Sequence, residues 1–116
     1  MWIIKQPGVS YLAMNQKNKQ QSLQLLGLAR RAGRLATGEA TVLKKVRQHQ
    51  AELVFVAADA AEATKKKFTD KCQFYQVKLT DLFSRDELSE AIGTDRSVIA
   101  VMDTGFAKKL NQLLEI

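Results

Sequence analysis

Residues 53–57 read Leu-Val-Phe-Val-Ala, an unbroken apolar run rich in strand-forming side chains. A strand with one wet face alternates apolar and polar residues. A short continuous run instead belongs to a strand covered on both faces. Ser97-Val98-Ile99-Ala100-Val101-Met102 is a second run of the same kind near the C-terminus. Two such strands require helical layers above and below them, and the surrounding sequence supplies the helices.

Before the first run, Gln20 to Ala32 reads as a helix, with Leu25, Leu26, Ala29 and Ala32 on one stripe. Gly33 suits the left-handed position that ends it, and Arg30 and Arg31 stand in the last turn, where the helix dipole favours positive charge. Leu35 to Thr37 fits a short strand. Gly38 then opens a helix to about Gln48 that buries Val42, Leu43 and Val46 and turns Thr37, Thr41, Lys44 and Gln48 to the opposite side.

After the first run, a helix from Ala61 to Phe74 carries Phe68, Cys72 and Tyr75 on one stripe, so Cys72 reads as a small buried hydrophobe. Lys66 and Asp70 form an i, i+4 pair on the solvated face of the Lys65-Lys66-Lys67 run. Gln76 to Leu79 alternates like a strand with one exposed face. Ser84-Arg85-Asp86-Glu87 is a capping box. Its helix buries Leu88, Ala91 and Ile92 and stops at Gly93. Past the Thr94-Asp95-Arg96 loop and the second run, Asp103 or Thr104 caps a last helix with Phe106, Ala107, Leu110, Leu113 and Leu114 as its core stripe. Five helices alternating with four strands predict an α/β fold, a three-layer α/β/α sandwich around a central mixed four-stranded sheet.

The chain of 116 residues is long enough for one ordinary core, and its 26% charged and 46% hydrophobic residues are a globular composition. One Cys and one His leave no disulfide framework and little for a metal site. No apolar stretch approaches the roughly 18 residues of a membrane span. Residues 1–13, with Trp2, Ile3, Ile4 and Pro7, read as a disordered extension ahead of Met14, either upstream of the real start or a floppy arm, and residues 14–116 as a single domain. The segment is too interrupted for a signal peptide, and with a lone cysteine the expected compartment is the cytoplasm.

Formal net charge is +6, which points to an anionic partner. It is unevenly placed. Residues 1–50 hold nine basic residues and one acid, Glu39, a net of +8; residues 51–116 hold nine basic residues and eleven acids, a net of −2. A solvated lysine face and a phosphate-binding side on the first two helices both fit that balance. Neither G-x-x-x-x-G-K-[ST] nor G-x-G-x-x-G is present, His49 reads as a helix C-terminal residue, and the carboxylates form no pair. The expectation is a protein without catalytic residues, metal, cofactor or small-molecule substrate. What remains is Gly38 at a helix start, where free N–H groups and a partial positive charge collect, with Lys44 and Lys45 one to two turns on.

These pieces together resemble a family. Gly38-Glu-Ala-Thr-Val-Leu-Lys44, Leu53-Val-Phe-Val-Ala-Ala-Asp-Ala60, Asp70-Lys71-Cys72, Ser84-Arg85-Asp86-Glu87-Leu88, Ala91-Ile92-Gly93 and Arg96-Ser97-Val98-Ile99-Ala100 are similar to the L-seven-Ae family of ribosomal and ribonucleoprotein proteins, which bind RNA kink-turns. Leu25-Leu-Gly-Leu-Ala-Arg-Arg-Ala-Gly33 and Thr104-Gly-Phe-Ala-Lys-Lys109 resemble its small bacterial YlxQ-type branch. The likeness spans about residues 20–114 and implies the same α/β/α sandwich.

The resemblance implies an RNA surface at Gly38, Glu39, Ala40, Thr41, Lys44, Lys45, Arg85 and Arg96. Gly38 would form the helix tip and Lys44 would reach a guanine edge and phosphate. Arg85 would lie near the RNA backbone and Arg96 in the loop on a flipped-out nucleotide. The family's kink-turn readers carry Asn then Glu where this chain has Ala40 and Thr41, and its Leu-Gly is here Leu88-Ser89; Asp95 adds a charge to the loop. Alanine offers no hydrogen bond to a base edge, and each lost bidentate contact removes about 1–3 kcal/mol of discrimination. The expected partner is ribosomal or other structured RNA, with ribosomal proteins alongside. A protein-interaction module on the same fold is the alternative.

Overall fold

The computed structural model describes residues 15–116; the reading of residues 1–13 falls outside them. Their elements, in chain order, are α1 (Gln16–Arg31), β1 (Leu35–Thr37), α2 (Glu39–Arg47), β2 (Leu53–Val56), α3 (Glu62–Phe74), β3 (Lys78–Thr80), α4 (Arg85–Ile92), β4 (Val98–Val101) and α5 (Thr104–Leu114). The two apolar runs are the two inner strands of a sheet ordered β1-β4-β2-β3, and all four residues of each are buried. β4 runs antiparallel to both neighbours, with Val54 opposite Ala100 and Leu35 opposite Val101. β2 and β3 are parallel and are joined through α3.

Alternation along the inner strands builds two cores. Leu53, Phe55, Ile99 and Val101 meet Leu26 of α1, Leu88 and Ile92 of α4, and Leu110 and Leu114 of α5. Val54, Val56, Val98 and Ala100 meet Val42 and Val46 of α2 and Phe68 and Cys72 of α3. The result is the three-layer α/β/α sandwich with a mixed four-stranded sheet. Burial pushes the Cys72 thiol up to about 11, which keeps it a neutral hydrophobe.

Helix ends follow local chemistry. Ser84 and Glu87 make the reciprocal capping box, Asp103 rather than Thr104 caps α5 by accepting the Phe106 N–H at 2.8 Å, and Gly33 (φ 73°) and Gly93 (φ 77°) close α1 and α4. Two boundaries move. α1 begins at Gln16, because Asn15 accepts the Lys17 N–H at 2.7 Å and starts the helix in a polar stretch without apolar period. β3 begins at Lys78, because Gln76 takes the left-handed turn (φ 60°) that closes α3. Arg30 stands in the last turn of α1, and its guanidinium also donates to the Ile92 carbonyl at 3.2 Å, at the C-terminus of α4.

The antiparallel placing of β4 gathers four segments at one end of the sheet. These are the end of β1, the end of β2, the start of β4 and the start of α4. The Gly38 N–H donates to Val98 O at 3.0 Å, Ala57 N–H to Ser97 O at 2.8 Å and Ala58 N–H to Phe83 O at 2.8 Å. Of the sequence-derived site, Gly38, Arg85 and Arg96 lie on this end.

Candidate nucleic-acid interface

Gly38 is the N-cap of α2 with φ 92° and ψ 149°, a conformation that side-chain-bearing residues avoid. That geometry lets its N–H reach the sheet while its carbonyl accepts the Val42 N–H at 2.9 Å. No side chain caps the helix. The N–H groups of Glu39, Ala40 and Thr41 are therefore left over by the helix ladder, at the end that carries partial positive charge. All three residues are exposed.

Arg96 covers this tip. A Cβ placed on Gly38 would stand 3.9 Å from Arg96 Nε. Arg96 Nε donates to Thr37 Oγ1 at 3.3 Å, and Nη1 donates to the Asp95 carbonyl at 2.8 Å. Among the described residues Arg96 joins no ion pair, so its charge stays available. Its backbone is fixed by Ser89: the hydroxyl accepts the Arg96 N–H at 3.0 Å and donates to the Arg96 carbonyl at 3.2 Å. Ser89 is thus a clamp on the loop that presents Arg96.

Arg85 stands beside that loop but is engaged. Its N–H donates to Asp59 at 2.8 Å, its Nε to Asp95 Oδ1 at 2.8 Å and its Nη1 to Ser97 Oγ. The Asp95 carboxylate holds the Arg85 guanidinium above its ordinary range, and Arg85 holds the Asp95 carboxyl below its own. The pair lies in solvent and ties the loop to α4, with Asp59 and Asp86 also facing the Arg85 charge.

The remaining residues of α2 diverge around the helix. Glu39 faces α3, accepting from Lys67 at 3.0 Å and from Thr64 at 3.1 Å; Lys67 lowers its carboxyl below the usual value. Lys67 is therefore not simply a solvated lysine, unlike Lys66, which pairs with Asp70 at 3.1 Å. Lys45 turns to the other flank and donates to Gln50 at 3.1 Å, near Arg34 and the β1 edge. Thr41 and Lys44 occupy the outer, exposed face. The eight sequence-derived residues thus separate into a tip with Gly38, Ala40, Thr41 and Arg96, an exposed Lys44 about 9 Å further along α2, and three that serve as neighbours' partners: Glu39, Lys45 and Arg85. Sequence reading missed Thr37 as a partner of Arg96, and Ser89 and Ser97 as loop anchors, because each bond joins residues distant in the chain.

Comparison with known proteins agrees with this architecture. Residues 20–111 match the ribosomal protein L7Ae/L30e/S12e/Gadd45 family. An Enterococcus faecium protein named RNA-binding protein YlxQ is 47% identical over 102 residues, covering 88% of this chain and 99% of the relative. The Bacillus subtilis protein of the same name is 47% identical over 92 residues, covering 78% and 92%. A solved Bacillus halodurans protein of unknown function superposes with TM-score 0.79 at 45% identity, over 83% of this chain and 98% of the other. The Giardia lamblia 15.5kD RNA binding protein shares the fold, with TM-score 0.72 at 20% identity over 87% and 88%. With its fold, its glycine-capped helix and matches that run over most of its length, the chain belongs to the ribosomal protein L7Ae/L30e/S12e/Gadd45 family.

Proposed function

We propose that this protein binds structured RNA at the tip of α2 and acts in association with the ribosome, without catalysis. One observation carries the reading. Three unsatisfied N–H groups and Arg96 stand together at a tip where Glu39 and Asp95 are each matched by their own cation, and Lys44 is exposed in the last turn of the same helix. Such a surface offers donors and positive charge to phosphates. The names of the two YlxQ relatives support an RNA partner.

The RNA we expect at the tip includes kink-turns, although the base-reading positions of the family pattern are Ala40 and Thr41 here. Ala40 removes a side-chain hydrogen bond, and Thr41 retains one hydroxyl. Phosphate contacts then supply most of the affinity, and binding falls steeply as salt rises. A gel-shift titration of a kink-turn RNA against an unkinked duplex, at two salt concentrations, tests both levels. Tighter binding to the kink-turn supports kink-turn docking, equal affinity removes it, and no binding to either at low salt removes the RNA reading for these RNAs. Lys44→Ala should weaken binding more than Lys66→Ala, since Lys66 is occupied by Asp70 on α3; equal losses refute this placement. The second reading, a protein-interaction module, is favoured by Ala40 and Thr41. A partner captured equally with and without ribonuclease would support it.

A further inference from the structure

The far end of α2 carries a feature that the tip does not use. Phe74, at the end of α3, is 76% exposed, in contrast to the buried Phe55, Phe68 and Phe83. Its ring meets Tyr75 edge-on at 4.9 Å and 82°, and Tyr75 meets His49 edge-on at 5.6 Å and 73°. His49 follows the α2 C-cap with φ 59°, where the N–H of His49 donates to Val46 O and that of Gln50 to Lys45 O. Glycine is the favoured residue in that position, as at Gly33 behind α1. A histidine here accepts backbone strain, and its ring extends an aromatic platform.

The approach to the platform is basic. Lys44 and Arg47 are exposed on α2, and Lys71 precedes Phe74 by one turn on α3. None of the three joins an ion pair among the described residues. The acids on these helices are otherwise placed: Glu39 is paired with Lys67, Asp70 with Lys66, and Glu62 lies in the first turn of α3, far from Phe74. The nine residues of α2 span only about 13 Å, so the cations lead from the tip to the rings within the reach of a short strand.

We propose that the seam of α2 and α3 is a second contact site, for a single-stranded RNA segment whose phosphates lie along Lys44, Arg47 and Lys71 and whose base stacks on Phe74. Exposed aromatic faces beside cations take bases of any sequence, because every base has a π-face. The inference rests on the RNA-binding reading of the tip and extends it to unpaired RNA flanking the structured part.

The test uses the full chain and two RNAs, at about 50 mM salt where phosphate contacts are strong. One is an unstructured decamer of alternating C and A; the other is a blunt kink-turn RNA without single-stranded flanks. Phe74→Ala should weaken the decamer by about fivefold or more, while Phe74→Trp restores it and the blunt RNA binds both variants as it binds the wild type. Arg96→Ala should do the reverse. Circular dichroism should show Phe74→Ala folded, since the ring is largely exposed. Failure of the wild type to bind the decamer, or equal decamer affinity for Phe74→Ala, overturns the second site and leaves the tip reading standing. Phe74-dependent decamer binding without any blunt-RNA binding overturns the tip reading and keeps the seam. A ribonuclease-resistant protein partner lost on Phe74→Ala, with decamer affinity unchanged, overturns the seam in favour of protein docking.

Discussion

Replacing Gly38 by alanine separates the two reasons a glycine can be required. Space is not the reason: the new Cβ would meet only Arg96 Nε, at 3.9 Å, an ordinary contact. Backbone conformation is. At φ 92° and ψ 149° the residue occupies a region essentially restricted to glycine, and forcing alanine there costs about 2–3 kcal/mol. Gly33 is the internal control. It too has open space, but at φ 73° it lies in the left-handed helical region, where alanine costs about 1 kcal/mol. Urea unfolding reads both. With a slope of about 1.5 kcal/mol per molar for a small domain, Gly38→Ala should lower the midpoint by about 1.5 M and Gly33→Ala by less than about 1 M. If the chain instead relaxes at residue 38, it gives up the bond from the Gly38 N–H to Val98 O, and the loss is of similar size. A Gly38→Ala midpoint at the wild-type value, or one no lower than that of Gly33→Ala, would refute the assignment of strain to this tip. RNA affinity measured well below the melting transition should also fall for Gly38→Ala and hold for Gly33→Ala.

Three further outcomes are expected. Gly27→Ala meets the opposite obstacle, because its Cβ would lie 2.9 Å from the Ala91 carbonyl, so the gain in helix propensity is outweighed as α1 is pushed from α4, and thermal unfolding should show a net loss. At Glu87, partial burial raises the carboxyl pKa, but Lys19 at 2.6 Å and the Ser84 N–H together bring it below its ordinary 4.5; its stability contribution is complete above that value and is lost as pH falls through the lowered one, so Glu87→Gln should flatten the wild-type loss of stability below about pH 4.5 in acid titrations. Asp95→Asn should leave stability close to the wild-type value, because the pair with Arg85 is exposed, yet raise RNA affinity by removing the nearest counter-charge on Arg85; unchanged or weaker binding in a gel shift would count against phosphate contact at this loop.

Most of the fold was legible because its signals are local. The capping box at Ser84, the glycines after α1 and α4, and the burial of Phe68 with Cys72 each depend on residues within one or two turns. The apolar runs read correctly as two-sided strands for a similar reason: unbroken burial leaves its mark on every residue of β2 and β4. The misplaced boundaries came where a polar segment carried no period, at Asn15, or where a non-glycine residue took a left-handed turn, at Gln76.

The residue types at the tip were likewise readable, but their availability was not. Lys44 and Arg85 look equivalent as basic residues in a sequence. In space, Lys44 stands in solvent while Arg85 is held by Asp95, Ser97 and Asp59, and Glu39 is turned away onto Lys67. Arg96 gains its place from Thr37 across 59 residues of chain and from Ser89 on another element. Local sequence specified the helices, their ends and the two covered strands, since periodicity and capping act over a few residues. The order of the strands, and which charges remain free beside Gly38, were settled by folding, since Coulomb and hydrogen-bond energies depend on distances that chain neighbours do not set.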